Sequence, residues 1–282
     1  MQPSNWRGLF SVAVTWSLIA LAMALVAAFP NPATVLVALG LIGGRQLALA
    51  ILMHDASHRS LCRSRALNDY VGTWLCGAPI WQNLGKYRRH HLVHHSHTGT
   101  EKDNDLVLVQ PFPTSRRSMV RKFARDLLGV SGVRRVVAQL MMDLGLLTYT
   151  ASLGAERIDV RGRSWREFVA MAASGLGPFL VTNAVLWGCL FAIGHGWLYA
   201  LWVVSYLTTF SLFLRIRSIA EHACTEESAD QLRNTRTTRA GVLARLTVAP
   251  HFVNYHLEHH ALMTVPHYRL PTLHRLLRER DV

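Results

Sequence analysis

The sequence predicts an all-α membrane protein of four transmembrane helices arranged as two hairpins, with its large polar segments on one side of the bilayer. Three observations carry this. Four stretches, 9–29, 33–53, 168–193 and 197–216, are apolar over about the 20 residues that a helix needs to cross a bilayer. The 30 Lys and Arg residues avoid the turns around 30–32 and 194–196, and all but Arg7 and Arg45 fall in the segments 59–166 and 215–280. Eight of the 15 histidines form three tight clusters between the hydrophobic stretches, the first at the end of the second stretch and the others within those basic segments. By the positive-inside rule both termini and both large segments lie on the cytoplasmic side.

Each element follows in order. The first apolar run is longer than the core of a cleavable signal and has no small-residue cleavage site before Pro30, so it reads as a retained span. The second carries Arg45 about eight residues, or roughly 12 Å, inside its end. An ionisable residue at that depth marks a functional position. A carboxylate or headgroup, a carbonyl near Gly43 and Gly44, and simple snorkelling are its open alternatives. Residues 69–85 are apolar but broken by Gly77 and Pro79, which predicts an interfacial segment. Residues 100–115 and 226–240 read as loops, and 117–153 as one or two helices with an apolar and an arginine-rich face. Pro271 opens a basic amphipathic helix within 267–280. Trp74, Trp81 and Trp202 either line a cavity for an apolar substrate or anchor the interface. The whole chain, 1–282, reads as one membrane domain.

The net charge of +13 admits nucleic acid as a partner, but the cations flank the spans, where anionic lipid attracts them. The reading is therefore a membrane partner and no nucleic acid. The cluster Arg116, Arg117, Arg121, Lys122 and Arg125 fits lipid headgroups first, and an acidic electron-transfer protein or a phosphate-bearing carrier second. Arginine outnumbers lysine 27 to 3, a bacterial leaning that makes the inner membrane the expected location. Cys62, Cys76, Cys189 and Cys224 form no C-x-x-C pair and are expected as small buried hydrophobes.

The histidine clusters carry the chemistry. His54 and His58 lie in H-D-A-S-H just past the second span, and on a continuing helix they share a face. His91, His94 and His95 repeat the H-x-x-H-H spacing of His256, His259 and His260 about 160 residues earlier. In such a box two imidazoles share a face and the third turns about 100° away, so one box can serve two ions. Eight imidazoles exceed the six of an octahedral ion and the four of structural zinc, which points to a dinuclear centre. His222, preceded by Glu221 at the end of the fourth span, offers a ninth imidazole at the same level. His91 is preferred to its neighbour His90. His97, His251, His267 and His274 fit no ligand spacing, and His195 lies across the membrane. Asp55, Glu221 and Glu258 are the acids expected to work beside the metals, with Asp103 and Asp105 as further candidates, because a ligating imidazole gives its other N–H to a carboxylate. Zinc, iron, copper and nickel all suit imidazole, and spacing does not choose among them.

H-D-A-S-H (54–58), Y-R-R-H-H-L-V-H-H-S-H-T-G (87–99), R-S-I-A-E-H-A (217–223), N-Y-H-L-E-H-H (254–260) and V-P-H-Y-R-L-P (265–271) together resemble the integral-membrane fatty-acid desaturase and hydroxylase superfamily, from about residue 40 to 278. The resemblance implies a four-span bundle whose cytosolic helical cap holds two irons, with zinc as a possible substitute and O2 as co-substrate. The implied ligands are His54, His58, His91, His94, His95, His222, His256, His259 and His260. It also implies an external donor such as a ferredoxin or rubredoxin, since the chain has no H-P-G-G heme motif and no Cys-rich iron–sulfur segment. The third box and the V-P-H-Y-R-L-P that follows resemble acyl-lipid desaturases most, which implies desaturation of a fatty acyl chain. Hydroxylation or oxygenation of a lipid, alkane or carotenoid on the same site is the alternative, and a non-redox zinc protein a more distant one.

Overall fold

A computed structural model describes residues 1–152 and 154–280; Leu153, at the end of the expected helical segment 117–153, lies outside the described residues. The chain is helical, and among the described residues there is no strand, only two isolated bridges, Leu147 with Arg157 and Thr237 with Tyr255. Four segments are long and apolar enough to cross a membrane: Asn5–Ala28, Pro32–Ser57, Trp165–Ala192 and Gly196–His222.

The first two are single helices, α1 (Asn5–Ala28) and α2 (Pro32–Ser57), joined by a three-residue turn and packed on each other. Local chemistry starts α2 sharply. Asn31 accepts from the Ala33 and Thr34 amides, the Thr34 hydroxyl answers the Asn31 amide, and Pro32 supplies a helical φ at no hydrogen-bond cost. α2 overruns the expected span by four residues and so carries His54 beyond the apolar stretch. Nearly every residue from Ile42 to Ser57 is buried, because α1, the fourth apolar segment and a π-helical turn (Gly72–Gly77) all pack around it.

α3 (Arg65–Val71) leads into that π-turn and a short 3-10 turn, which make up most of the segment 69–85 and lie against α2. α4 (Leu84–His97) follows, capped by Asn83. The helical segment beginning at 117 is two helices, α5 (Arg116–Leu127) and α6 (Val130–Asp143), hinged at Gly129, where φ is +77°. α5 is tied down by Asp126, wholly buried, in a paired contact with Arg215 at 2.5 and 2.9 Å. α7 (Trp165–Ala192) is the third apolar segment. Its flank exposes Leu180, Val181, Val185, Trp187 and Phe191, a surface suited to lipid and not to water. With the four apolar segments, this makes the chain an integral membrane protein.

The fourth segment departs from the expected single helix 197–216. It is α8 (Tyr199–Leu207) and α9 (Thr209–His222), broken at Thr208. The Thr208 hydroxyl bonds its own Val204 carbonyl at 2.6 Å, and that of Thr209 reaches the Leu39 carbonyl of α2 at 2.6 Å. Such hydroxyls compete with the helical ladder and kink it. The polar C-terminal part holds α10 (Val242–Leu246), α11 (His256–Ala261) and α12 (Leu270–Arg278), the last with Pro271 in its first turn.

The smaller expectations divide. Cys62 and Cys76 are buried, but Cys189 and Cys224 are exposed: the first faces outward on α7, the second sits in the turn after α9 at φ +57°. Trp202 is buried and stacks on Trp16 at 5.7 Å, while Trp81 stacks on Phe179 at 4.1 Å beside the buried Asp143, to which its indole N–H donates at 2.9 Å. Arg45 is 4 % exposed, and its Nη2 donates to the Arg245 carbonyl at 2.7 Å. It therefore meets a carbonyl, but one from α10 and not from its own helix.

That contact requires close approach, which Gly44 provides. A Cβ there would collide with the Leu246 carbonyl oxygen and stand 2.8 Å from the Thr247 Cα, both backbone atoms that cannot rotate away. Gly44→Val is expected to cost roughly 1–3 kcal/mol, lowering the melting temperature in detergent. Gly40→Ala, whose Cβ meets nothing within 4 Å, is expected to leave it unchanged or raised.

Candidate metal centre

Four helix ends bring the histidines together. The i, i+4 pair His54 and His58 closes α2; the three imidazoles of the second box lie on consecutive turns of α4; His222 ends α9; and the third box forms α11. Two neighbouring groups result. In the first, one nitrogen from each of His54, His58, His91, His95 and His259 lies within 4.8 Å of every other. In the second, His94, His222 and His260 meet the same criterion, and Glu221, His222 and His256 form an overlapping trio. The groups abut where the His95 and His260 rings stack at 4.2 Å.

The ring nitrogens face one another. His95 Nε2 is 3.0 Å from His91 Nε2 and 3.1 Å from His259 Nε2, and His256 Nε2 is 2.8 Å from His222 Nε2. A neutral imidazole has one N–H and one lone pair. His95 Nε2 has either one hydrogen or one lone pair, so it forms a proper hydrogen bond with only one of its two neighbours and leaves the other contact unmatched unless a cation lies between. Both nitrogens of His54 and His58, Nδ1 of His256 and Nε2 of His260 are buried without any hydrogen-bond partner, a costly arrangement for polar atoms. Burial, aided by the neighbouring imidazoles, pushes His58 down to about 3 and holds His91, His95, His256, His259 and His260 well below the ordinary histidine value. The rings are thus neutral and offer lone pairs. A donor set of nine converging imidazoles fits two transition-metal ions.

Around the groups, carboxylates and amides orient the rings. His94 Nδ1 donates to Asp103 at 2.8 Å, leaving Nε2 for the second group. His260 Nδ1 meets the Gln231 amide oxygen at 3.1 Å, and Gln231 also donates to the His95 carbonyl at 3.0 Å. Tyr87 stacks on His91 with ring centroids 5.1 Å apart. His90 stands outside both groups, with Nδ1 taken by Asn104 at 3.0 Å and Nε2 by Asp105 at 2.9 Å. Burial is the largest single influence on Asp105 and would raise it, but the His90 contact together with the nearby His94 and His222 holds the carboxyl below its usual value.

The three acids named from the sequence behave differently. Glu221 bonds Arg217 at 2.7 Å and stands 3.6 Å from His256 Nε2, close enough to belong to the second group. Asp55 is 3.5 Å from His54 Nδ1, but its closer partner is His267 at 2.8 Å. Glu258 is turned to Thr237 and to His274 Nδ1 at 2.5 Å, so it anchors α12 and does not support a box imidazole. Sequence spacing missed Gln231 and His267, which meet the centre from distant segments, and Thr98, whose hydroxyl is 3.4 Å from His260 Nδ1 of the third box; His274 reaches Glu258 and not the rings. His97 and His195 are in neither group, and His251 bonds Thr15 at 2.9 Å instead.

A family model described as "Fatty acid desaturase" matches residues 27–281. Among curated proteins, the dihydrorhizobitoxine desaturase of Bradyrhizobium elkanii is 26 % identical over 96 % of this chain and 75 % of its own length. The sn-1 oleoyl-lipid 12-desaturase of a Synechocystis strain is 27 % identical over 81 % of this chain and 64 % of its own length. A β-carotene ketolase of a Paracoccus strain is 26 % identical over 80 % and 73 %. The chain therefore spans about two thirds to three quarters of these relatives.

The depressed imidazoles make stability depend on pH with a definite sign. In the unfolded chain histidine titrates near 6.5, whereas His58 in the metal-free fold takes its proton only near 3. Between these values the unfolded chain binds more protons, so stability falls as pH falls. Chelator-stripped protein is expected to keep a constant melting temperature above about pH 7 and to lose it progressively below about 6.5. A flat profile from pH 7 to 5 would show that the imidazoles are not held in this neutral, buried state.

Proposed function

The chain belongs to the fatty acid desaturase family, and within it we propose that this protein is an O2-dependent di-iron oxidoreductase that introduces a double bond into a fatty acyl chain. The observation that carries the proposal is the meeting of nine imidazoles, eight of them buried, in two adjacent groups at the ends of helices long enough to cross a bilayer. His54, His58, His91, His95 and His259 would hold one iron. His94, His222, His256 and His260, with Glu221 beside them, would hold the other.

When bound, the iron pair supplies the redox chemistry that couples reduction of O2 to oxidation of an unactivated C–H bond. Desaturation balances as –CH2–CH2– plus O2, two electrons and two protons giving –CH=CH– and two waters. The two electrons come from a separate donor, a ferredoxin, rubredoxin or similar carrier. The chain's own residues do the rest. Burial of the imidazoles keeps water from the centre, and it disfavours protonation of His58, His91, His95, His256, His259 and His260, so that their lone pairs stay available. Asp103 fixes the tautomer of His94, and Gln231 steadies His260 and the α4 backbone at His95. Asp55 and Glu221 act beside the metals, and Glu258 holds α12 against the third box.

The charge pattern supports an orientation with both termini and the histidine-bearing segments on the cytoplasmic face of a bacterial inner membrane, the four spans forming two hairpins under a helical cap. The exposed arginines of α5 would then rest among lipid headgroups. A second reading, oxygenation of a lipid or carotenoid on the same centre, is favoured by the ketolases among the relatives. Which C–H bond is presented to the centre decides between the two outcomes.

Mass spectrometry of total lipids from cells expressing the protein, against His94→Ala, tests the proposal. The expected result is acyl chains lighter by two hydrogens with the native protein only. Products heavier by one oxygen, or carbonyl products, would move the reading to oxygenation. A native-level desaturated product from His94→Ala would overturn the role given to the histidines.

A further inference from the structure

The segment after the third box, V-P-H-Y-R-L-P, brings His267 back to the first box. His267 is 2 % exposed. Its backbone amide and its Nδ1 converge on a single oxygen of Asp55, Oδ2, at 3.0 and 2.8 Å. The other oxygen, Oδ1, is 3.5 Å from His54 Nδ1. On its far side His267 Nε2 meets the Ser11 hydroxyl of α1 at 2.9 Å. A carboxylate only accepts, so Nδ1 carries the hydrogen and Nε2 the lone pair, which shares the single Ser11 hydroxyl hydrogen with the Arg7 carbonyl at 3.0 Å.

We infer that Ser11 and His267 are positioning residues of the metal centre: they hold the Asp55 carboxylate and, through it, aim the His54 imidazole into the first histidine group. This rests on the metal reading above. His54 has no hydrogen-bond partner on either ring nitrogen, and Asp55 is the carboxylate beside it. A carboxylate pinned by two donors on Oδ2 presents Oδ1 in a fixed direction, which favours the His54 tautomer with hydrogen on Nδ1 and a lone pair on Nε2.

α1 is built to hold this segment. The Ser4 amide donates to the Tyr268 hydroxyl at 2.7 Å, and the Arg7 guanidinium lies 5.2 Å from the Tyr268 ring centroid. Gly8 allows α1 to press on the Leu61 carbonyl, just beyond His58. One turn past Ser11, Thr15 bonds His251, whose ring lies 5.1 Å from that of His267. The family match begins only at residue 27, so this support from α1 lies outside the matched segment.

The test uses the full chain in detergent, loaded with iron or with Co2+, and reads metal retention against graded chelator, the Co2+ absorption bands and the melting temperature. His267→Asn keeps a side-chain N–H near the position of Nδ1, whereas His267→Gln carries its amide outward toward Ser11. His267→Gln is expected to weaken metal retention about 10–100-fold and to shift the Co2+ bands, while His267→Asn stays within a few-fold of native. If His267→Gln fails to fold, Ser11→Ala, which leaves the packing in place, carries the test, with weaker retention and shifted bands expected. Native retention and native bands in a folded His267→Gln, or in Ser11→Ala where His267→Gln is unfolded, overturn the inference. So does an Asn variant as impaired as the Gln one, since volume at 267 would then be what matters. A native protein that binds no metal overturns the underlying metal reading, a failure visible without any variant.

Discussion

The arrangement that everything else serves is a set of imidazole lone pairs gathered out of water. His95 Nε2 faces two other Nε2 atoms at about 3 Å, and His54 and His58 bury four nitrogens with no partner. In a protein interior such groups are a net cost. Protonation would relieve the unmatched contacts only by placing charge in a buried site, which the depression of His58 by burial opposes. A cation shared among the rings removes both problems at once. The helices around the cluster can be understood as what is needed to keep these rings together until one is bound.

α2 is the centre of that scaffold. Its apolar half gives the bundle a core, and its overrun beyond the apolar stretch delivers His54, Asp55 and His58 on a rigid helix. Rigid delivery matters because a metal site loses affinity with small errors in ligand placement. α9 arrives beside it after a break at Thr208, and that break lets the last turns of the segment turn their polar face, Arg215, Arg217, Glu221 and His222, toward Asp126 and the third box. The loops are held as carefully: Asp103 and Asn104 close the loop after α4 against His94 and His90, and Gln231 and Asn234 tie the segment after α9 to the carbonyls of His95 and Thr98.

Much of this was legible in the sequence because it is periodic or local. Four apolar runs, the i, i+4 pair in H-D-A-S-H, and the repeated H-x-x-H-H spacing each state a helix and a face. His222 was legible from its level at the end of an apolar run. What the sequence did not disclose depends on contacts between distant segments. Asp55 finds His267, 212 positions away, and Glu258 finds His274 and Thr237 instead of a ring of its own box. Neither pairing leaves a spacing to read. The break at Thr208 was hidden too, because a hydroxyl bonding across to Leu39 looks the same in sequence as one facing solvent. Cys224 was misjudged as buried because its exposure follows from a left-handed backbone in the turn after α9.

The most direct test of this account is the metal content of purified native protein, measured by elemental mass spectrometry and referred to protein by amino-acid analysis. The account predicts two iron atoms per chain. One metal ion per chain, none, or zinc alone together with no O2 uptake in the presence of an electron donor, would contradict it.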